Sequence, residues 1–425
     1  MVPTRNISEK FSNPPISDVI QAANAEAVRR MKLAGPVLVG VGKAKDHIPD
    51  MRENLILHAG PPTTWQETSG AMKGAIIGAM LFEGLADSKE DAIARVEKGE
   101  IDIESCHDHR AAGPMAGVIT SSMSVFIVED TTSGSRFYSN ISDDLGDFLG
   151  SSVRFGVYED RAIEHLKWIE RVLAPALNAA IQDVEYIDFI PIIGRALLMG
   201  DNCHVTMDAA TPLFLKELMP GLIKYCDDKN DLTRIVSLIH NDSLFALNPV
   251  MATCKAISAA GSDVKHSSIV TIMARNGTEF GIKVSGLGDR WFTGLAEIGQ
   301  GVLSPGVSQS DVGRDMGDSA ITETNGLGGV AKTIFTSGRE ATRITQQMYD
   351  IAQAESDVFK IPALDGRGAP MGFDIFKIVE KNIRPMINSG LANRHMNRYS
   401  AGAGALHPPM EAFVSAAMAF EEMEL

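Results

Sequence analysis

Apolar and polar positions change their period twice along this chain. From Pro36 to about Phe155, short apolar runs alternate with amphipathic ones. PVLVGVG (36–42) and NLILHAGPP (54–62) each run into a glycine or proline turn, which predicts buried strands. GVITSSMSVFIVED (117–130) has strand character, and Thr131 to Gly134 turns it into RFYSNI (136–141). Ser17 caps a helix that runs to about Met31, and a second helix is predicted from about Ser69 to Leu85. On the second, Gly70, Gly74 and Gly78 recur every four residues, so one face has no side chains. Such a face fits close packing against backbone or close approach of a ligand. Ser88 and Asp91 form a capping box for a helix over 89–98. From Tyr158 to Ala256 the period is helical throughout, with Pro175 and Pro220 as breaks. Alternation then returns in SIVTIMARNGTEFGIKVSG, a hairpin about Asn276-Gly277, the preferred type I′ turn. The remainder, 286–425, is glycine-rich, with helices near 338–356 and 373–384.

These periods predict an α+β, multidomain protein in which mixed α/β domains flank a central all-helical one. The expected boundaries are an N-terminal arm and helix (1–35), an α/β domain (36–157), a helical domain (158–260) and a glycine-rich α/β domain (261–425). A chain of 425 residues buries a large core without disulfides or metal staples. A net charge of −15 argues against nucleic acid or an anionic membrane as partner. A small anionic ligand remains compatible, because a single local cation holds one. Cys106, Cys203, Cys226 and Cys254 are scattered without CxxC spacing, as expected of a reduced, cytoplasmic protein. The N-terminus lacks the apolar core of a signal peptide. The most apolar stretches, such as GAIIGAMLF, are broken well before the ~18 residues a membrane span needs.

Three polar clusters sit on turns. The first is Cys106-His107-Asp108-His109-Arg110, followed by Gly113-Pro114. In an extended loop His107 and His109 point one way and Asp108 the other. Asp201 and His204 of MGDNCH share a face if that segment is helical, which adds two donors. A metal site, histidines closing a domain junction, and acid–base or substrate-anchoring work all fit this pattern. No sharp metal motif is present, and neither a metal nor a cofactor is expected. The second cluster is ARNGTEFGIKVSGLGDRWF (274–292), in which Arg275, Asn276, Asp289 and Arg290 surround glycine turns. The turn alone accounts for Asn276-Gly277; Arg275 and Arg290 fit a bidentate carboxylate or phosphate site, or exposed salt bridges. The third is GDSAITETNGLGGVAK (317–332), where Thr322 and Glu323 precede Gly326, Gly328 and Gly329. Backbone N–H groups in such a loop cradle anions, although the P-loop spacing is missing. All three clusters lie on glycine-rich turns, so His107, His109, Arg275 and the 326–329 loop are expected to converge in one pocket.

LHAGPP, CHDHRAAGPMAGV, MGDNCH, MARNGTEFGIKVSGLGDRWFT, DSAITETNGLGG and IPALDGRG with PMGFD resemble the YlbE/AllG-type family, from about Pro36 to about Phe420. Asp108 stands where that family has the middle of three histidines, VTM follows MGDNCH in place of the usual Asn-Arg, and the C-terminal stretch INSGLANRHMNRYSAGAG is this chain's own. The resemblance implies an α+β multidomain fold with a helical insert. It also implies a subunit of an oxamate carbamoyltransferase, which converts oxalurate and phosphate into oxamate and carbamoyl phosphate. FdrA-like and AllH-like subunits are the implied partners. On that basis Arg275 and Arg290 hold a carboxylate, the 326–329 loop holds phosphate, and His107 or His109 carries the proton. The isolated chain is expected to fold as a homodimer. Two alternatives stand beside it: a non-catalytic binding or assembly subunit that partners an FdrA-like protein, and a metal-dependent amidohydrolase built on the two histidines.

Overall fold

Residues 14–145, 150–331, 338–356, 358–359 and 369–423 are described here from a computed structural model. The first α/β stretch forms a four-stranded sheet in the order Pro36–Lys43, Ser124–Asp130, Arg136–Asn140, Ala111–Ala112. Its first three strands are antiparallel, and the short Ala111–Ala112 strand joins in parallel. A smaller sheet sets Leu55–His58 between Asp102–Ser105 and Val118–Ile119. The turns that follow Leu55–His58 and Ala111–Ala112 both reach the site described below.

Six helices follow in sequence: Asp160–Trp168, Ala174–Asp183, Phe189–Leu198, Ala210–Tyr225, Lys229–Asn241 and Leu247–Ala260. They share one apolar core with the first sheet, and Leu247–Ala260 packs on the strands Ser124–Asp130 and Arg136–Asn140. The two prolines do not break helices as expected. Pro220 lies inside Ala210–Tyr225, and Pro175 follows a π turn over Ile169–Leu173 that links two helices without a gap. Proline lacks an N–H and crowds the preceding turn, and a widened turn accommodates that.

A second core forms around the hairpin Val270–Asn276 and Glu279–Val284, whose sheet is completed by Phe292–Leu295 and Met316–Gly317. The helix Met410–Glu421 covers it. Smaller sheets pair Gln300–Leu303 and Ile387–Leu391 with Gly402–Leu406, and Ala352–Ser356 with Ala369–Phe373. The α+β class agrees with the periods in the sequence. Among the described residues no helix is long and apolar enough to cross a membrane.

Several local expectations are corrected. The hairpin is not a two-residue type I′ turn, because Asn276 is not among the residues with positive φ. Its last pair is Arg275 with Phe280, and the Asn276 side chain accepts N–H bonds from Thr278 and Glu279. An Asn side chain that mimics backbone in this way stabilises a longer turn. The capping box is half formed: Ser88 accepts from Asp91 N–H, but the Asp91 carboxylate takes the N–H of Asp87. The first helix starts at Pro14, ahead of Ser17, and residues 1–13 of the expected arm lie outside the described residues, as does IPALDGRG (361–368).

The glycine face of the helix Gly70–Glu83 serves packing. A Cβ on Gly74 would lie 2.1 Å from the carbonyl oxygen of Gly156, and one on Gly70 would lie 2.3 Å from that of Arg394. At Gly78 the neighbours are Val153 methyls at 3.2 Å, which can shift. Gly74→Ala is therefore expected to destabilise the protein by about 1–3 kcal/mol, the cost of overpacking. Gly78→Ala is expected to be near neutral, because the gain in helix propensity offsets a mild crowding. Chemical denaturation of both variants checks this; equal effects would contradict the packing argument.

Candidate functional site

The cluster Cys106–His109 is a 3-10 turn, closed by Arg110 at φ 57° in the left-handed region. Such a turn sends successive side chains about 120° apart. His107 and His109 therefore diverge, contrary to the extended-loop expectation. His109 is held away from His107 by the Pro49 carbonyl (2.9 Å) and the Glu104 carboxylate (2.7 Å). Asp108 accepts from Lys283 Nζ at 2.7 Å and from the Trp291 indole N–H at 3.1 Å. His107 turns inward, with Nε2 3.4 Å from Asp318 Oδ1, and neither ring nitrogen has a hydrogen-bond partner.

Asp318 is fully buried. Its carboxylate accepts the N–H of Gly60 at 2.7 Å and of Gly113 at 2.9 Å, so it ties together the two turns that end Leu55–His58 and Ala111–Ala112. Burial pushes its pKa up to about 7; the two N–H bonds and the Lys255 and Arg275 charges hold it back from going further. Lys255 comes from the helix Leu247–Ala260 and is 5% exposed, with Nζ donating to the His107 carbonyl at 3.2 Å. Burial, and then repulsion from Lys283, lowers its pKa to about 7. His107 is held well below the usual imidazole range by burial and by both lysines, so it is neutral. His107 and Lys255 line a cleft of about 1010 Å³ whose wall also includes Asp108, Arg110, Lys283 and Asp289, and Asp318 meets that wall through His107. A lysine shared between charged and neutral forms near neutrality is suited to carrying a proton.

Of the other expected site residues, Asp289 is on the cleft wall and the rest are not. Arg275 is fully buried, and Asp315 takes it bidentately at 2.6 and 3.1 Å. Its other bonds go to the Gly317 carbonyl, Ser389 and Ser319. It anchors the strand that leads into Asp318, and its guanidinium is not on the cleft wall. The Asn276 amide donates to the Pro61 carbonyl. Asp289 reaches Lys283 at 3.4 Å, and Arg290 lies over the Phe292 ring. The MGDNCH segment is not helical, with φ 106° at Gly200 and 56° at Cys203. Asp201 accepts the N–H groups of Ala209 and Ala210 at the start of the helix Ala210–Tyr225. His204 Nδ1 meets Glu323 at 2.9 Å.

The 326–329 loop forms an anion cradle that a resident carboxylate already occupies. Glu323 accepts the N–H of Gly329 at 2.8 Å and of Asn388 at 3.0 Å. A Cβ on Gly328 would sit 2.0 Å from that carboxylate, and the Gly328 N–H goes to the Asn202 carbonyl. Gly326 N–H closes a local turn on Glu323, and the Thr322 hydroxyl bonds the Ser319 carbonyl. Of the residues expected to share one pocket, His107 is on the wall of the lysine cleft whereas His109, Arg275 and the 326–329 loop are not, and His204 meets Glu323 beside the glycine loop. Among the described residues no group of three or more His, Cys, Asp or Glu is arranged to hold a metal ion.

Lys255, Lys283 and Trp291 were not singled out from the sequence. A signal for Lys255 existed: it is the one charged residue in LNPVMATCKAISAAG. Lys283 was concealed because alternation in a strand places half its positions inward whatever their chemistry.

Comparison with known proteins places this geometry in context. The family model for oxamate carbamoyltransferase subunit AllG matches residues 101–319. That span contains His107, Asp108, Lys255, Lys283 and Asp318. Oxamate carbamoyltransferase subunit AllG of Escherichia coli K12 is 37% identical over 414 residues, covering 95% of this chain and 98% of its own length. The uncharacterized protein YahG of the same organism is 37% identical over 422 residues, covering 97% of this chain and 89% of its own. A crystal structure of a conserved protein of unknown function from Enterococcus faecalis V583 superposes with a TM-score of 0.90 at 38% identity, covering 95% of this chain and 98% of that one.

The depressed pKa of Lys255 carries a stability consequence. The folded state disfavours the ammonium, so its cost is full below about pH 7 and is relieved as pH rises towards 10.5, the ordinary lysine value. Lys255→Met is expected to be more stable than the parent below pH 7, by up to several kcal/mol, since each tenfold change in proton affinity is worth ~1.4 kcal/mol. The gap should narrow between about pH 7 and 10. A gap in thermal midpoint that stays constant from pH 6 to 10 would refute a depressed Lys255.

Proposed function

The chain belongs to the family of oxamate carbamoyltransferase subunit AllG, and from that premise we propose that it serves as an AllG-like subunit of a carbamoyl-transferring complex, with the lysine cleft at the reaction centre. The observation that carries the proposal is the buried Lys255, poised at about 7 beside a second buried cation, Lys283. In this reading Lys283 and Arg110 hold the carboxylate of oxamate or oxalurate. As the oxamate nitrogen attacks the carbamoyl carbon of carbamoyl phosphate, a C–N bond forms and the C–O bond to phosphate breaks. The neutral amine of Lys255 takes the proton that nitrogen loses and passes it to the departing phosphate. The reverse direction uses the ammonium to protonate the departing oxamate nitrogen. His107, neutral and without a hydrogen-bond partner, orients a polar group of the bound molecule. The relative's name is that of a subunit. FdrA-like and AllH-like chains are accordingly proposed as partners that complete substrate positioning, a contribution worth several kcal/mol of barrier.

Oxamate-dependent phosphate release from carbamoyl phosphate, by this chain with both partners, tests the proposal. Lys255→Ala is expected to lower kcat about 10²–10⁴-fold, the range for loss of a general base. Lys283→Ala is expected mainly to raise KM for oxamate. In the parent complex the rate should rise with pH through about 7 as Lys255 loses its proton, and that limb should vanish in Lys255→Ala. Parental kinetics from both variants in an active complex would place the chemistry on a partner and make this chain an assembly subunit.

A further inference from the structure

A second cavity, of about 500 Å³, lies away from the lysine cleft and shares no lining residue with it. The helices Asp160–Trp168 and Lys229–Asn241 bound it, together with the π turn between Asp160–Trp168 and Ala174–Asp183. Three guanidiniums line it: Arg161, Arg171 and Arg234. Its wall also carries His165, Trp168 and Asn241. Among the described residues the lining carries the carboxylate of Glu164, which is paired with Lys167 on its own helix at 2.8 Å. Asp231 lies near Arg234 and partly offsets its charge.

The ring stack beneath the arginines is built rather than incidental. His165 stacks on one face of Trp168 at 5.7 Å between centroids, and Arg234 lies 3.9 Å over the Trp168 ring. His165 Nε2 donates to the Asp144 carbonyl at 3.0 Å, which fixes the tautomer and leaves Nδ1 as an acceptor. Trp168 is 3% exposed and His165 is 4% exposed, yet Trp168 Nε1 and His165 Nδ1 have no hydrogen-bond partner. A buried indole N–H without an acceptor is costly to leave unmade, and an incoming anion supplies one. Arginine forks match phosphate oxygens bidentately, and a guanidinium held on an aromatic face loses little freedom when it binds. The cavity exceeds one phosphate in size and falls within the range of small-molecule sites.

We propose that this cavity binds the phosphoryl group of a small phosphorylated molecule, held by Arg171 and Arg234. It is a ligand site separate from the cleft assigned to carbamoyl transfer. The chain's three tryptophans make the two sites separately readable: Trp291 stands at the cleft and Trp168 in this cavity.

The test uses the full chain carrying Trp291→Phe, so that ligand binding at the cleft is not reported. Emission is followed during titration with inorganic phosphate, pyrophosphate and ADP, at ionic strength held constant with sodium chloride. A saturable change is expected, tighter for pyrophosphate or ADP than for inorganic phosphate. Arg171→Ala and Arg234→Gln are each expected to weaken it about tenfold or more, the size of one lost charge-assisted contact. Because Arg234→Gln also perturbs the ring stack, calorimetric titration of Arg171→Ala provides the second readout. Saturation by ADP alone assigns the site to an organic phosphate, and saturation by all three assigns it to a bare phosphoryl group; either supports the proposal. No saturable change at millimolar ligand, or parental affinity in both arginine variants, overturns it.

Discussion

The turns behind the cleft are held by one buried carboxylate. Asp318 accepts backbone N–H groups from two turns that are far apart in sequence, at Gly60 and Gly113. Those turns end strands of two different sheets, and Asp318 itself leaves the hairpin sheet of the second core. Three layers of the fold are therefore pinned at one side chain. Arg275 and Asp315 hold that pin from behind, as a fully buried pair that fixes the Met316–Gly317 strand. Breaking such a pair typically costs about 3–5 kcal/mol, because the survivor is left charged and unpartnered. The arginine that looks from its sequence context like a substrate anchor thus works one layer further in.

Burial explains the electrostatics as well as the geometry. Asp318 and Lys255 are each driven towards their neutral forms, and both reach about 7. Their pH dependences run in opposite senses. The acid's penalty grows as pH rises from its ordinary value near 3.8 to about 7, while the lysine's is relieved only between about 7 and 10.5. The pair is consequently least favourable to folding near neutrality, where both groups are pressed to change charge. A cleft in this condition takes up or releases a proton at small cost, which is what transfer between an amide nitrogen and a phosphate oxygen requires.

Much of the fold was legible because period is a physical property of the chain. The helical run from Asp160 to Ala260, the strands at Pro36–Lys43 and Ser124–Asp130, and the hairpin strands all announce themselves by spacing. The local details that were not legible have specific causes. Asn276 satisfies its turn with its side chain, which the dipeptide Asn-Gly does not distinguish from a left-handed backbone. His107 and His109 diverge because the turn is 3-10, a choice fixed by what surrounds it. Lys283 sits on a strand where nothing local separates a functional lysine from a solvated one, and although Lys255 stands alone as a charge in an apolar helix, only the fold brings the two buried lysines to one cleft.

The glycine loops illustrate why clusters that look like anion sites need their partners before they can be assigned. Glu323 fills the cradle at Gly328 and Gly329, and Asp318 fills the one made by Gly60 and Gly113. In both places a side chain of this protein supplies the negative charge that backbone N–H groups attract. An incoming anion must therefore be met by side-chain cations instead. The lysines of the cleft and the arginines around Trp168 supply such cations. The two sets differ in chemistry as well as position. The buried lysines have one member that titrates near neutrality, which suits a site where protons move. Guanidinium is a fixed charge by its chemistry, which suits a site that only binds.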